Sequence, residues 1–136
     1  MSIFLDASAI VAILAREPEA YSFDERITVE ADLLTSAIAI WKASRGLAVA
    51  RGIAFEEARA AVSRYVADFA VRLIAIGADE AEAALDAHQR FGKGRHPARL
   101  NMGDCFAYAC TTRHADMILF KGDDFIHTDL KDATLS

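Results

Sequence analysis

The sequence contains few residues that interrupt regular structure, with only two prolines and seven glycines among 136 residues. Long irregular loops are therefore excluded over most of the chain, because these residues supply most turn conformations. The 28 alanines favour helices, since alanine loses no side-chain entropy there. We predict a single globular domain, residues 1–136, that is largely helical with few and short strands.

Lysine and arginine are also fewer than the acidic residues. The chain has 15 lysines and arginines against 20 aspartates and glutamates, which gives a formal net charge of −5, and it has no block of like charges. This composition excludes a disordered basic tail and a nucleic-acid clamp that binds through a positive surface.

Long apolar segments are absent too. No stretch reaches about 18 uninterrupted apolar residues, and the first apolar run is interrupted by Asp6 and lacks a preceding basic region. We therefore expect a soluble, cytoplasmic protein with no membrane segment. The only cysteines, Cys105 and Cys110, lie five residues apart in one predicted helix, where their side chains diverge, so we expect free, buried thiols.

Four short apolar runs are predicted to be strands. None of them alternates between apolar and polar residues, which is typical of a parallel sheet that helices cover on both faces. These runs are residues 3–5, 33–35, 71–76 and 117–120. We predict an α/β fold with a short parallel sheet of about four or five strands, flanked by helices on both faces.

Helices are predicted between these strands. Ser36 is suited to cap the start of one helix and Gly52 to end it. The predicted helices cover residues 8–16, 18–30, 37–51, 54–69, 79–91 and 104–114. Residues 92–99 (GKGRHPAR) stay unassigned, as a basic loop in an otherwise acidic chain.

Polar side chains follow the predicted strands at their carboxyl ends. Asp6 follows the first strand, Ser36 the second, and Asp123 and Asp124 the fourth, while Asp104 lies in the first turn of the last helix. Ligands of parallel sheets bind at this edge. A single carboxylate there often serves only as a helix cap. Several converging carboxylates repel one another, however, and Mg²⁺ or Mn²⁺ would neutralise them, so the pattern predicts metal-dependent phosphodiester hydrolysis.

Four segments carry a resemblance to a known family. They are residues 4–9 (FLDASA), 90–98 (RFGKGRHPA), 100–109 (LNMGDCFAYA) and 119–125 (LFKGDDF). Together they resemble, in order and spacing, the PIN-domain toxins of the VapC family, and the resemblance covers essentially the whole chain. It implies a PIN-like α/β domain and a Mg²⁺- or Mn²⁺-dependent endoribonuclease that acts on RNA. It also implies a VapB-like antitoxin, contact with operator DNA only through the antitoxin complex, and a homodimer within a hetero-oligomer.

The resemblance assigns roles to the carboxylates. Asp6, Asp104 and Asp124 match the catalytic, metal-binding acids of the family, with Asp123 as the alternative to Asp124. We prefer Asp124 because it directly precedes Phe125.

One position departs from the family pattern. Ser8 and Ser36 resemble the polar residues that brace the first acid, but Lys42 stands where the family usually carries a glutamate. A cation therefore replaces an anion inside the expected metal site, and the resemblance implies reduced or lost activity.

The basic loop offers candidates for RNA binding. Lys93, Arg95 and His96 precede Asp104 in the chain and lie beside the expected site, where basic side chains can contact phosphates. A solvated loop without a ligand is the alternative.

Three classes of function remain open. The first is a ribonuclease toxin weakened by Lys42, and the second is a catalytically degenerate PIN domain that acts as a binding or regulatory module with its antitoxin on operator DNA. The third, a haloacid-dehalogenase-like phosphatase, normally has a second aspartate two residues after the first, where this chain has Ser8. Rossmann and P-loop nucleotide sites are excluded because neither glycine motif is present.

Overall fold

A four-stranded parallel sheet forms the centre of the computed structural model, which describes residues 1–28 and 31–135. Its strands are β1 (Ser2–Leu5), β2 (Asp32–Ser36), β3 (Arg72–Ile74) and β4 (Met117–Leu119). Within the described residues they are ordered β3-β2-β1-β4, and Phe4 of β1 pairs with Leu34 on one side and Ile118 on the other. The predicted parallel α/β fold is confirmed.

Within the part of the chain that the structure describes, six helices connect and cover the strands. They are α1 (Ala7–Leu14), α2 (Ala20–Arg26), α3 (Ala37–Arg51), α4 (Phe55–Asp68), α5 (Ala78–Phe91) and α6 (Met102–His114), followed by a 3-10 turn at Ala133–Leu135. The predicted caps of α3 are confirmed, because Ser36 Oγ accepts the Ala39 N–H at 3.1 Å and Gly52 adopts a left-handed φ of 61°. None of the described helices is long and apolar enough to cross a membrane.

The second helix is shorter than the predicted range of residues 18–30. It ends where Ile27 leaves the helical conformation, with ψ of 77°, just before the β-branched Thr28. The last two residues of the predicted range, 29 and 30, lie outside the described residues.

Both faces of the sheet are covered, as the apolar strands predicted. Ile3 and Leu5 of β1 point into a core formed with α1 to α4, whereas Phe4 points to the opposite face, into a core formed with α5 and α6. Cys105 and Cys110 belong to this second core as free, buried thiols, as predicted, and burial raises the pKa of Cys110 to about 11.

The prediction of a buried strand at residues 71–76 was wrong in its length and in its burial. Only Arg72–Ile74 pair with β2, and Leu73 is 56% exposed. The reason is the position of β3 at the edge of the sheet, where helices do not cover both of its faces.

Replacing Gly52 with alanine is expected to lower the free energy of unfolding by about 1–2 kcal/mol. The left-handed conformation that ends α3 is unfavourable for a residue with a Cβ. Gly52→Asn is the matched control, because asparagine tolerates the left-handed conformation and adds a side chain at the same position. Urea denaturation should show a clear loss of unfolding free energy for Gly52→Ala and a smaller one for Gly52→Asn; equal losses in both variants would contradict the argument.

Candidate active site

The carboxyl edge of the sheet brings together three carboxylates that are far apart in sequence. Asp6 directly follows β1, Asp124 lies in the loop after β4, and Asp104 lies in the first turn of α6. The charges of Asp6 and Asp124 each raise the pKa of Asp104, which shows that the three groups share one electrostatic environment. Asp104 and Asp124, with Asp123, line an open cleft of about 470 Å³.

Asp6 uses one of its carboxylate oxygens to cap α1. Its Oδ2 accepts hydrogen bonds from the Ser8 N–H at 3.1 Å and from the Ser8 hydroxyl at 2.5 Å. The Ser8 oxygen in turn accepts the Lys121 N–H at 3.0 Å, which connects the loop after β4 to the same carboxylate. Asp6 Oδ1 accepts no hydrogen bond from the described residues, so it remains available to a ligand.

Asp104 is arranged in the same way at the start of α6. Its Oδ2 accepts the Asn101 N–H at 3.1 Å, and Asn101 Oδ1 accepts the Asp104 N–H at 2.9 Å, which forms a reciprocal capping box. The other oxygen, Oδ1, lies 3.9 Å from the Lys42 ammonium nitrogen. Each of these two acids therefore has one oxygen held by a helix cap and one oxygen that is not.

The cleft disfavours negative charge on its acids. Burial raises the pKa of Asp104 to about 6; the Asn101 N–H and Lys42 oppose this rise, and Asp124 and Asp6 add to it. The pKa of Asp124 is also raised, first by partial loss of water around its carboxyl and then by the charge of Asp6. These shifts indicate that burial, together with the neighbouring carboxylates, outweighs the opposing effect of Lys42 on both pKa values.

Lys42 extends from α3 toward the cleft over Gly103. A Cβ built on Gly103 would lie 2.6 Å from the Lys42 nitrogen and 2.8 Å from its Cδ, so the absent side chain leaves the space that the lysine fills. The lysine side chain is 34% exposed, while that of Asp104 is 4% exposed. The Lys42 ammonium can therefore move into solvent, whereas the Asp104 carboxylate is enclosed by protein.

Of the other predicted site residues, some lie at the acidic cleft and others make contacts elsewhere. Ser36 was expected to brace Asp6, but its hydroxyl caps α3, and the hydrogen bonds to Asp6 come from Ser8. Lys93 lines the acidic cleft, whereas Arg95 is exposed and is not among the lining residues. His96 serves its own loop, because its Nδ1 accepts the Ala98 N–H at 3.0 Å and its ring packs edge-on against Phe91.

The sequence reasoning missed three residues that shape the site. Lys121 supplies the N–H that holds Ser8, and Thr35 donates its hydroxyl to the Leu5 carbonyl at 2.9 Å, which ties β2 to the end of β1 beside Asp6. Arg99 lines the cleft with Lys93. The position of Thr35 at the end of a predicted strand could have indicated its place beside the site. No sequence pattern indicated that of Arg99, because its position depends on the backbone conformation of the loop.

Comparisons with known proteins agree with this architecture. Residues 3–131 match the PIN domain family. The chain is 36% identical to the Mycobacterium tuberculosis ribonuclease VapC30 over 131 residues, which cover 96% of this chain and 98% of that protein. It is 35% identical to a VapC ribonuclease of Rhizobium meliloti (93% and 98% covered) and 38% identical to the ribonuclease VapC of Mycolicibacterium smegmatis (93% and 95% covered).

A solved structure shares the fold. The crystal structure of Mycobacterium tuberculosis VapC20, described as a Sarcin-Ricin loop cleaving toxin, superposes with a TM-score of 0.74 at 18% identity, covering 94% of this chain and 95% of that one. A parallel sheet with acids at its carboxyl edge defines a class of α/β proteins whose sites bind ligands at the strand ends. Within that class, the chain belongs to the PIN-domain family, among the VapC ribonucleases.

Proposed function

We propose that this chain is an endoribonuclease toxin that depends on Mg²⁺ or Mn²⁺ and that Lys42 holds in a weakly active form. The observation that carries the proposal is the convergence of Asp6, Asp104 and Asp124 at one edge of the sheet, where burial first and neighbouring negative charges second raise the pKa of Asp104 and of Asp124. Negative charge of this kind favours a divalent cation. The names of its relatives as VapC ribonucleases support RNA as the substrate.

The donor atoms suit a hard cation that retains part of its water. Asp6 and Asp104 each have one carboxylate oxygen outside their helix caps, and Asp124 lies on the open side of the cleft. The described residues include no group of three or more acids, histidines or cysteines placed to hold a metal ion directly. This still fits Mg²⁺, which is commonly bound through one or two carboxylates and several waters.

When bound, such an ion would activate water and stabilise negative charge on the phosphate and the leaving oxygen. The protein's part is to hold the carboxylates in place. Ser8 fixes the orientation of Asp6, and the Asn101 capping box fixes that of Asp104.

Lys42 supplies part of the neutralising charge itself. Its ammonium is 3.9 Å from Asp104 Oδ1, so it competes with a metal ion for the same oxygen. A lysine provides a positive charge but has no site at which water can be activated. We therefore propose that metal affinity and cleavage are both reduced in this chain.

Removal of divalent metal is expected to abolish the remaining cleavage. A labelled RNA incubated with the chain should be cut slowly in Mg²⁺ or Mn²⁺ and remain intact in EDTA, with Asp6→Asn as the inactive control. Asparagine keeps the cap of α1 while removing the charge. Cleavage of equal rate in EDTA would contradict the metal-dependent proposal.

The alternative function is a binding or regulatory module, in which Lys42 permanently replaces the metal ion and the chain acts with its antitoxin on operator DNA. The position of Lys42 beside Asp104 is the observation that favours it. A chain that binds its antitoxin but shows no metal-dependent cleavage would support this alternative.

We propose a VapB-like antitoxin as the partner, with both proteins in the cytoplasm and with the toxin as a dimer in the complex. The candidate surface is an apolar groove of about 600 Å³ between α3 and α4, where Trp41 is 57% exposed and Phe55 46% exposed. Exposed apolar patches of this kind mark interaction sites. An antitoxin crossing α3 from this groove would bring a basic or blocking side chain to the carboxylates.

Trp41→Arg is expected to abolish co-purification of the chain with the antitoxin encoded beside it. A charged side chain there would be left without a partner in an apolar contact. Leu85→Arg is the control, because Leu85 is 64% exposed on α5, outside this groove. Retention of the complex by Trp41→Arg would place the antitoxin elsewhere.

A further inference from the structure

Arg99 has a left-handed backbone conformation that arginine rarely adopts. Its φ is 54°, and its own side chain is exposed although both neighbours, Ala98 and Leu100, are buried. A non-glycine residue persists in this region only when its surroundings enforce it, and such residues cluster at functional sites.

Backbone hydrogen bonds in the loop around Arg99 hold this residue in its left-handed conformation. The Arg99 N–H donates to the His96 carbonyl at 3.0 Å, and the Leu100 N–H donates to the Phe91 carbonyl at 3.0 Å. The Lys93 N–H returns to the Leu100 carbonyl at 2.9 Å, which closes the loop on itself. The loop therefore presents Arg99 from a fixed position.

Arg99 lines an acidic cleft without pairing with the acids. Arg99 and Lys93 line the same cleft as Asp104, Asp123 and Asp124. Within residues 1–28 and 31–135, neither basic side chain makes an ion pair or a hydrogen bond, whereas the Lys42 ammonium lies within 4.0 Å of Asp104. Arg99 and Lys93 are thus not the counter-ions of the carboxylates and remain available to an anionic ligand.

We propose that Arg99, with Lys93, binds a backbone phosphate of the RNA strand beside the carboxylates, an inference that rests on the ribonuclease function proposed above. The planar guanidinium donates two parallel hydrogen bonds to phosphate oxygens, and the lysine adds a point charge. A strand that passes close to acidic groups needs this local positive charge, because the chain as a whole is negative. Since phosphates are alike in every nucleotide, the contact positions the strand and does not select its bases.

The test measures RNA binding rather than cleavage, so a weakly active chain does not hide the result. Fluorescein-labelled 12-nucleotide homopolymers of A, U and C are titrated with the full chain in Mg²⁺ at several KCl concentrations, and binding is followed by anisotropy. Arg99→Gly is the informative variant, because glycine adopts a φ of 54° without strain and the substitution removes the side chain that carries the guanidinium. Arg64→Ala is the matched control, since it removes the same charge from an exposed position on α4, outside the cleft.

Arg99→Gly is expected to weaken binding of all three RNAs by about tenfold and to reduce the slope of log K against log salt by about 0.7. Arg64→Ala is expected to change binding by less than about twofold, and the thermal unfolding midpoint of Arg99→Gly should not fall. Unchanged binding by Arg99→Gly would overturn the inference, as would an equal loss in Arg64→Ala, which would indicate net charge alone. A loss confined to one homopolymer would overturn the phosphate assignment. If the unaltered chain and every variant fail to bind RNA, the proposed ribonuclease function fails together with this inference.

Discussion

Replacing Lys42 with glutamate is expected to raise Mg²⁺-dependent RNA cleavage by at least about 100-fold. The lysine ammonium is 3.9 Å from Asp104 Oδ1 and repels any cation that shares this oxygen. Like unit charges about 4 Å apart cost about 4 kcal/mol at an effective dielectric constant of about 20, and a divalent ion doubles that cost. Since each 1.4 kcal/mol corresponds to a factor of ten, 100-fold allows for a lysine that swings back into solvent.

Two further variants separate the causes. Lys42→Ala removes the repulsion but adds no carboxylate, so we expect only part of the gain. Arg45→Glu makes the same change of charge on the exposed side of α3, where Arg45 stacks on Trp41, and it should leave cleavage unchanged. Cleavage rates and growth arrest on expression provide the measurements. Equal activity of the unaltered chain and Lys42→Glu would show that a fourth carboxylate is dispensable here.

Asp104→Asn is expected to move activity and stability in opposite directions. In the Lys42→Glu background it should lower cleavage by at least about 1000-fold, because the buried carboxylate at the centre of the site loses its charge. In the unaltered chain it should raise the free energy of unfolding by about 1–3 kcal/mol at pH 7 without metal, since an ionised Asp104 is disfavoured by burial. Asparagine still accepts the Asn101 N–H, so the cap of α6 is kept.

The stability difference should depend on pH with a defined sign. The pKa of Asp104 is about 6 in the folded chain, above its ordinary value of 3.8, so the folded state binds more protons between these values. Its contribution is therefore most favourable below about pH 4 and is lost as the pH rises through 6. Urea denaturation in EDTA should show the gain from Asp104→Asn growing from near zero at pH 4 to its full size at pH 7.

Asp123→Asn is the matched control for the stability measurement, because Asp123 is an exposed acid in the same cleft. It should change the free energy of unfolding by less than about 0.5 kcal/mol. A gain of constant size from pH 4 to pH 7 in Asp104→Asn would contradict the burial argument.

Most of the fold was predictable from local patterns. The strands β1, β2 and β4 are apolar on both sides because helices cover both faces of the sheet, and this pattern alone indicated parallel pairing. The edge strand β3 was predicted too long, because its apolar residues include Leu73, which the sheet leaves exposed. Burial at an edge depends on what packs beside it, and a single strand does not carry that information.

The candidate site was predictable in its residue types and less so in its contacts. The positions of Asp6, Asp104 and Asp124 after strands or at a helix start indicated one edge of the sheet. The bracing role foreseen for both serines falls to Ser8 alone, because the Ser36 hydroxyl satisfies the start of its own helix. A short side chain beside a helix N-terminus is captured by the nearest backbone N–H, which competes with longer-range partners.

The sequence by itself determined the class of fold and which acids follow its strands, because periodicity and helix caps are properties of neighbouring residues, and the resemblance to the family pointed to Lys42. Only the tertiary structure decided which basic groups face the acids. Lys42 reaches Asp104 because Gly103 leaves room for it, and Arg99 lines the cleft from a left-handed backbone position between two buried neighbours. Close packing between α3 and α6 and the closed loop of residues 92–100 fix those directions, and such contacts join residues that are distant in the chain.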